Sequence, residues 1–135
     1  MIGIVIVAHG GLAREYLAAV EHVVGKQEGI RAISIDADHD RAAKQAEIGA
    51  AANEVDTGDG VVVVTDMFGG SPCNLSLGVC SGKNRQILYG ANLPMLIKLA
   101  KSRHRPVPEA VASALEAAHK YINAYVCAEQ AQEVK

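Results

Sequence analysis

The chain has 135 residues, about the length of one domain, so a second catalytic domain joined by a linker is not expected. Half of the residues are apolar and 21% are charged, a balance that can fill a hydrophobic core and differs from that of a disordered tail. Lys and Arg number 13 against 15 Asp and Glu, and no block of like charges occurs, which excludes a typical nucleic-acid or anionic-membrane surface.

The first predicted element is a buried strand. Residues 2–8 are apolar and largely β-branched without alternation, which is typical of a strand covered on both faces. No basic leader precedes this run and it leads directly into a polar loop, so we interpret it as a strand, not a signal segment, and expect a cytoplasmic protein that is not embedded in a membrane. Gly10 and Gly11 end the strand. Residues 12–24 then show helical apolar spacing, and Gly25 marks the end of the helix.

The strand and helix pattern repeats in the next segment. Residues 30–35 are predicted to form a short strand, and Asp38 can cap a helix that extends through Val55. Residues 61–65 are predicted to form a third buried strand. A loop over residues 66–71 follows it.

The second half of the chain continues the alternation. Ser71 followed by Pro72 predicts a helix start, with serine as the cap and proline at the first helical position; this helix extends to about Cys80. The remaining predicted elements are a strand at 86–89, helices at 93–101 and 106–121, and a last strand at 121–127. The whole chain, 1–135, is therefore predicted to be one α/β domain with an open, mostly parallel β-sheet and helices on both faces.

Two groups of residues lack the spacing that metal sites require. The cysteines are odd in number and lack metal-ligand spacing: Cys73, Cys80 and Cys127. Three aspartates at alternate positions imitate a calcium loop: Asp36, Asp38 and Asp40. In that loop the sixth position is Arg41 where glycine is required. We predict no disulfide, no metal site and no cofactor.

The candidate chemistry lies after two of the predicted strands. In an open α/β sheet, catalytic groups collect at the carboxyl ends of the strands. His9 directly follows the first strand, and Asp66 directly follows the third. If the first strand lies between the second and the third, these side chains face one crevice. An Asp that accepts a hydrogen bond from one imidazole nitrogen fixes the tautomer and leaves the other nitrogen as a nucleophile.

The surroundings of this pair suit an anionic phosphoryl group. Gly10 and Gly11 allow close approach of the backbone and lead into one helix N-terminus, while Ser71 opens another. Helix N-termini offer unpaired N–H groups and positive charge to an anion. We therefore predict that two anion-binding elements converge on His9.

The other histidines are assigned no role. Three lie on predicted helices or in their loops: His22, His104 and His119. His39 is predicted to be a surface residue in the first turn of the second helix. The H-G-G sequence at His9 resembles an esterase oxyanion loop, but residues 69–73 end in Cys where a nucleophile elbow requires Gly, so a serine hydrolase is not favoured.

Three segments carry a resemblance to a known family. They are I-V-I-V-A-H-G-G-L at 4–12, T-D-M-F-G-G-S-P-C-N at 65–74 and N-L-P-M-L at 92–96. Together they resemble the mannose-family enzyme IIA domain of the bacterial phosphoenolpyruvate-dependent sugar phosphotransferase system. The resemblance covers nearly the whole chain in order and spacing.

The resemblance implies a phosphocarrier. It implies that His9 accepts a phosphoryl group from the phosphohistidine of the carrier HPr and passes it to an enzyme IIB partner. It also implies that Asp66 orients His9, and that Ser71 with the backbone amides of Gly69 and Gly70 holds the phosphate. An alternative remains open, in which the phosphorylation state of His9 selects a regulatory protein target without onward transfer to sugar.

The resemblance further implies a homodimer. Members of the family exchange a C-terminal strand that pairs antiparallel with the sheet of the neighbouring subunit. The predicted strand at 121–127 is the segment of this chain that would be exchanged.

Overall fold

The computed structural model describes residues 1–67 and 70–128. In this part of the chain, strands and helices alternate up to a final pair of helices. Their bounds are β1 Gly3–His9, α1 Leu12–Val24, β2 Ile30–Ile35, α2 Arg41–Val55, β3 Val61–Thr65, α3 Ser71–Cys80, β4 Arg85–Leu88, α4 Leu93–Lys101 and α5 Val107–Lys120.

The four described strands form one sheet in the order β2-β1-β3-β4, and all of their pairings are parallel. Val7 of β1 is in register with Ile33 of β2 and with Thr65 of β3. This order confirms that the first strand lies between the second and the third. The carboxyl ends of β1 and β3 are therefore neighbours at the same edge of the sheet.

Helices cover both faces of the sheet. On β1, Ile4 and Ile6 pack in a core with Val20 of α1 and residues of α4 and α5. Val5 and Val7 point to the other core, which α2 and α3 complete with residues such as Ile48 and Leu75. Because both faces are covered, β1 is a continuous apolar run. The predicted α/β architecture is confirmed.

Two helix starts differ from the prediction. The side chain of Asp40, not that of Asp38, accepts a hydrogen bond from the Ala43 backbone N–H at 3.1 Å and caps α2. Gly70, not Ser71, is the residue before α3, and Ser71 is the first helical residue. Pro72 is still accommodated, because N–H groups in the first turn have no intrahelical acceptor.

Three other elements differ from the prediction by one residue at each end. β1 and β4 are each displaced by one position from the prediction, and α5 begins after Pro106, which is its N-cap residue. Asn92 caps α4 by accepting from the Met95 backbone N–H at 2.9 Å. None of the described helices combines the length and the apolar composition that a membrane crossing would require.

The C-terminal segment does not form the predicted strand in the single chain. Residues 122–128 have no regular secondary structure, and all of them are exposed. A strand needs a neighbouring strand to accept and donate its hydrogen bonds, and none pairs with this segment among the described residues. Exchange between subunits is a property of two chains, so it stays a prediction.

Candidate functional site

The site is built on a hydrogen-bonded pair at the carboxyl edge of the sheet. His9 is the last residue of β1, and Asp66 directly follows β3. His9 Nδ1 lies 2.7 Å from Asp66 Oδ2, and the His9 backbone N–H donates to the same oxygen at 3.1 Å. An ionised carboxylate only accepts hydrogen bonds, so Nδ1 carries the ring proton and Nε2 of the neutral ring keeps its lone pair.

The two side chains differ in exposure. The side chain of His9 is 48% exposed, whereas that of Asp66 is 11% exposed. The imidazole therefore faces solvent while its carboxylate partner lies beneath it. About half of the imidazole surface is therefore open to a reactant from solvent.

The hydrogen bonds to Asp66 keep its carboxylate ionised. Burial by itself raises the pKa of Asp66, but the hydrogen bonds from the His9 backbone and ring, and the positive charge of the ring when it is protonated, more than offset it, so the pKa of Asp66 is lowered overall. The second oxygen, Oδ1, accepts from the Met67 backbone N–H at 3.0 Å. Asp66 is thus a fixed negative charge against His9 at neutral pH.

Tyr16, on α1, lies close enough to Asp66 for the charge of that carboxylate to affect it. Its hydroxyl donates to the Ala91 carbonyl at 2.9 Å, which joins α1 to the loop after β4. Burial, and then the negative charge of Asp66, raise the pKa of Tyr16. Tyr16 therefore stays neutral and, partly buried against the core, holds α1 to the loop after β4.

Gly10 shapes the turn after His9. Its φ is +55°, in the left-handed region that favours glycine, and its N–H donates to the Ile35 carbonyl at 3.0 Å. The sequence prediction placed Gly10 at the phosphate. In the structure its amide already has an acceptor, so its observed contribution is the path of the chain into α1.

The start of α3 lies against the ring of His9. A Cβ atom added to Gly70 would stand 3.2 Å from His9 Cε1 and 3.6 Å from Nε2. A side chain at this position would therefore press on the ring. The first turn of α3 holds no acidic residue, and its N–H groups and dipole present positive charge next to His9.

A cavity of about 350 Å³ opens beside this pair. It is lined by His9, Gly10, Ile35, Asp36, Ala37, His39 and Ser71. Three predicted site residues, His9, Gly10 and Ser71, are thus brought together. Gly69, the remaining predicted phosphate ligand, lies outside the described residues.

His39 is the site residue that the sequence analysis missed. It does not lie in the first turn of α2; it precedes the N-cap residue Asp40 and is half-buried. Its Nδ1 atom lies 2.8 Å from the Asp36 carbonyl oxygen. The signal that could have found it is its place after β2, the strand next to β1, because the carboxyl ends of both strands meet at one edge.

Comparison with known proteins decides the family. The sequence profile described as PTS system fructose IIA component matches residues 3–124. The chain belongs to this family. The resemblance derived from the three sequence segments is confirmed.

Individual relatives of this enzyme IIA chain agree with that result. It is 29% identical over 126 residues to the PTS system mannose-specific EIIAB component of Escherichia coli K12. The matched region covers 91% of this chain and 39% of that relative. The chain thus spans well under half the length of the curated relatives it matches.

Solved structures give the same fold. Phosphotransferase system component EIIA from Streptococcus agalactiae is 28% identical, with a TM-score of 0.83 over 92% of this chain and 97% of that one. The mannose/sorbose specific IIA subunit from Enterococcus faecalis is 24% identical, with a TM-score of 0.84 over 96% and 98% of the two chains. The second likeness is evidence for the fold.

Other residues considered from the sequence do not line the cavity of this enzyme IIA chain. Three exposed histidines do not line the cavity: His22, His104 and His119. Cys73 is buried, as expected for a small packed side chain. No group of three His, Cys, Asp or Glu side chains that could hold a metal ion occurs within residues 1–67 and 70–128.

Proposed function

We propose that this chain is a phosphocarrier of the sugar phosphotransferase system, which accepts a phosphoryl group on His9 from phospho-HPr and passes it to an enzyme IIB partner. The observation that carries the proposal is the 2.7 Å contact between His9 Nδ1 and Asp66 Oδ2. It leaves Nε2 as the nucleophile of a ring that is 48% exposed. Membership of the PTS system fructose IIA component family supports the same function. A carrier that meets HPr would work in the cytoplasm.

The transfer step follows from this geometry. The Nε2 lone pair of His9 forms the new N–P bond while the N–P bond of the donor phosphohistidine breaks, and its electron pair returns to the donor nitrogen. The Nδ1 proton stays on His9. The ring therefore gains positive charge opposite the ionised Asp66, which stabilises it. Onward transfer reverses these roles, with His9 as the leaving group.

The elements around His9 would bind the transferred group. Ser71 lines the same cavity and begins α3, whose N-terminus carries positive charge. The backbone at Gly70 lies against the ring, and we assign it, together with Gly69, to phosphate binding as the family resemblance implies. Phosphoryl transfer depends mainly on such positioning and charge stabilisation.

The test uses the acid lability of phosphohistidine. Incubated with phosphoenolpyruvate, enzyme I and HPr, the chain should gain one phosphate that is lost in acid and retained in base. His9→Ala should gain none, while the matched variants His104→Ala and His119→Ala should be labelled as wild type. Circular dichroism should show that His9→Ala is folded, since water can replace its hydrogen bond at a partly open site.

Two results would contradict the proposal. Labelling of folded His9→Ala would show that a residue other than His9 accepts the phosphoryl group. If the wild-type chain is not labelled with HPr from its own organism, the chain is not a phosphocarrier. If the phosphorylated chain holds its phosphate in the presence of enzyme IIB, the chain acts in regulation and not in transport.

A further inference from the structure

A second histidine lines the cavity beside the nucleophile. His39 lies in the loop after β2, His9 is the last residue of β1, and both line the same cavity of about 350 Å³. The two strands pair in parallel with His9 in register with Ile35, which keeps the two loops side by side. The proposed transfer from HPr to His9 does not use His39.

The ring of His39 is held in one orientation. Its Nδ1 lies 2.8 Å from the Asp36 carbonyl oxygen, and a carbonyl can only accept, so Nδ1 carries a proton. Nε2 is the nitrogen that remains for the contents of the cavity. On a neutral ring it offers a lone pair, and on a protonated ring it is a hydrogen-bond donor.

A phosphoryl group changes which form is favoured. A phosphoryl group carries about −1.5 to −2 charges at neutral pH and presents only acceptor oxygens. A lone pair on Nε2 would repel it, whereas an N–H would bind it with a charge-assisted hydrogen bond. Histidine is the side chain whose charge changes most readily between about pH 5 and 8.

We propose that His39 binds the phosphoryl group carried by His9, with its ring taking up a proton from solvent and donating a hydrogen bond from Nε2 to a phosphoryl oxygen. The inference rests on the proposed function, because it requires phosphate on His9. It makes protonation of His39 and phosphorylation of His9 mutually favourable.

Several other charged groups near His39 could also affect its protonation. His9 and Asp36 line the same cavity, and Asp66 lies under His9. On the loop and helix of His39 itself, the neighbouring charged residues are Asp38, Asp40 and Arg41. The first turn of α3, on the other side of the cavity, has no acidic residue. Arg14 of α1 lies next to Gly11 and does not line the cavity.

The first experiment follows the histidine rings by NMR. Ring resonances of the labelled chain are titrated before and after phosphorylation by phosphoenolpyruvate, enzyme I and HPr. The titration midpoint of His39 should rise by about one pH unit on phosphorylation, as expected for nearby negative charge. That of His104 should not change. In His9→Ala, treated identically, neither should change.

The second experiment measures the phosphorylation equilibrium with HPr as a function of pH. In the wild-type chain, phosphorylation should become more favourable as the pH falls from about 8 to 6, because the phosphorylated form binds an additional proton. His39→Gln cannot take up that proton, so it should lose this part of the pH dependence. Its phosphorylation equilibrium with HPr should be about tenfold less favourable than that of the wild-type chain at pH 6. His104→Ala is the matched control and should follow wild type.

The results distinguish this inference from the proposed function. If the wild-type chain is phosphorylated on His9 but the His39 midpoint is unchanged, the role of His39 is wrong and the carrier function stands. The same holds if His39→Gln is shown by thermal melting to be folded and keeps the wild-type pH dependence of phosphorylation. If no phosphate is gained, the carrier function fails and this inference fails with it.

Discussion

At the scale of single residues, Asp66 makes two contacts with His9 through one oxygen. Asp66 Oδ2 accepts from the ring at 2.7 Å and from the backbone N–H at 3.1 Å. Because one oxygen makes both contacts, an Asn side chain that turns its NH₂ group to the ring also loses the bond from the His9 backbone N–H. The ring contact sets the tautomer only if the group at this position accepts and cannot donate.

Asp66→Asn tests whether the tautomer matters. The Asn side chain can turn its NH₂ group to Nδ1, which favours the tautomer with the proton on Nε2 and removes the nucleophilic lone pair. We expect the rate of phosphoryl acceptance from HPr to fall about tenfold or more, with the fold retained. Rapid-quench labelling measures it. Asp59→Asn, the same change of charge at an exposed residue at the other end of the sheet, is the control. A wild-type rate in Asp66→Asn would exclude an orienting role.

At the scale of the elements, Arg103 joins the loop between α4 and α5 to the sheet. Its Nε–H donates to the Ile2 carbonyl at 2.7 Å and a terminal N–H donates to the Gly29 carbonyl at 3.1 Å. A third N–H reaches the Gln27 side chain at 3.3 Å. The residue is 4% exposed, and this burial lowers the pKa of Arg103. One side chain thus connects the loop to the starts of β1 and β2.

Arg103→Ala should destabilise the fold without changing the chemistry. Removing the guanidinium takes the donor away from the carbonyl of the buried Ile2, whereas the Gly29 carbonyl keeps the Ile4 backbone N–H. We therefore expect the free energy of unfolding to fall by about 1–3 kcal/mol. Arg105→Ala, at an exposed neighbour that contacts Ser113, should change it by less than about 0.5 kcal/mol. Urea unfolding measures both. Below the unfolding transition, labelling of His9 should be unchanged, and loss of labelling in folded Arg103→Ala would mean that this end of the sheet is coupled to the site.

At the scale of the whole molecule, the single chain leaves apolar surface uncovered at its C-terminus. Four large side chains after α5 are more than half exposed: Tyr121, Ile122, Tyr125 and Val126. β4 is an edge strand of the sheet in the described residues, and exposed edges invite pairing with another strand. A second copy of the chain, exchanging residues 121–127, would cover both features.

Deletion of residues 123–135 tests this dimer. The truncated chain should be monomeric or should aggregate, because the exchanged segment is lost, whereas deletion of residues 129–135 alone should leave the dimer intact. Size-exclusion chromatography with light scattering measures both. A stable dimer that survives the longer deletion with an unchanged melting temperature would show that another surface associates the subunits.

Much of this fold could be predicted because its signals are local. The bounds of α1, β2, β3 and α4 agree with the predicted ranges. β-branched runs and helical spacing are properties of a few consecutive residues, so they can be identified without knowledge of the fold. The pair of His9 and Asp66 was also predictable, because parallel strands bring their carboxyl ends to one edge.

The sequence by itself determined the alternation of strands and helices, the buried character of the sheet and the residues at its carboxyl edge. Tertiary structure decided the rest: Asp40 as the cap of α2, the close approach of Gly70 to the ring of His9, and the place of His39 in the same cavity. These depend on the path of each loop after its strand ends. That path is set by hydrogen bonds between distant segments, such as Gly10 to Ile35, and no periodic pattern within either segment encodes them.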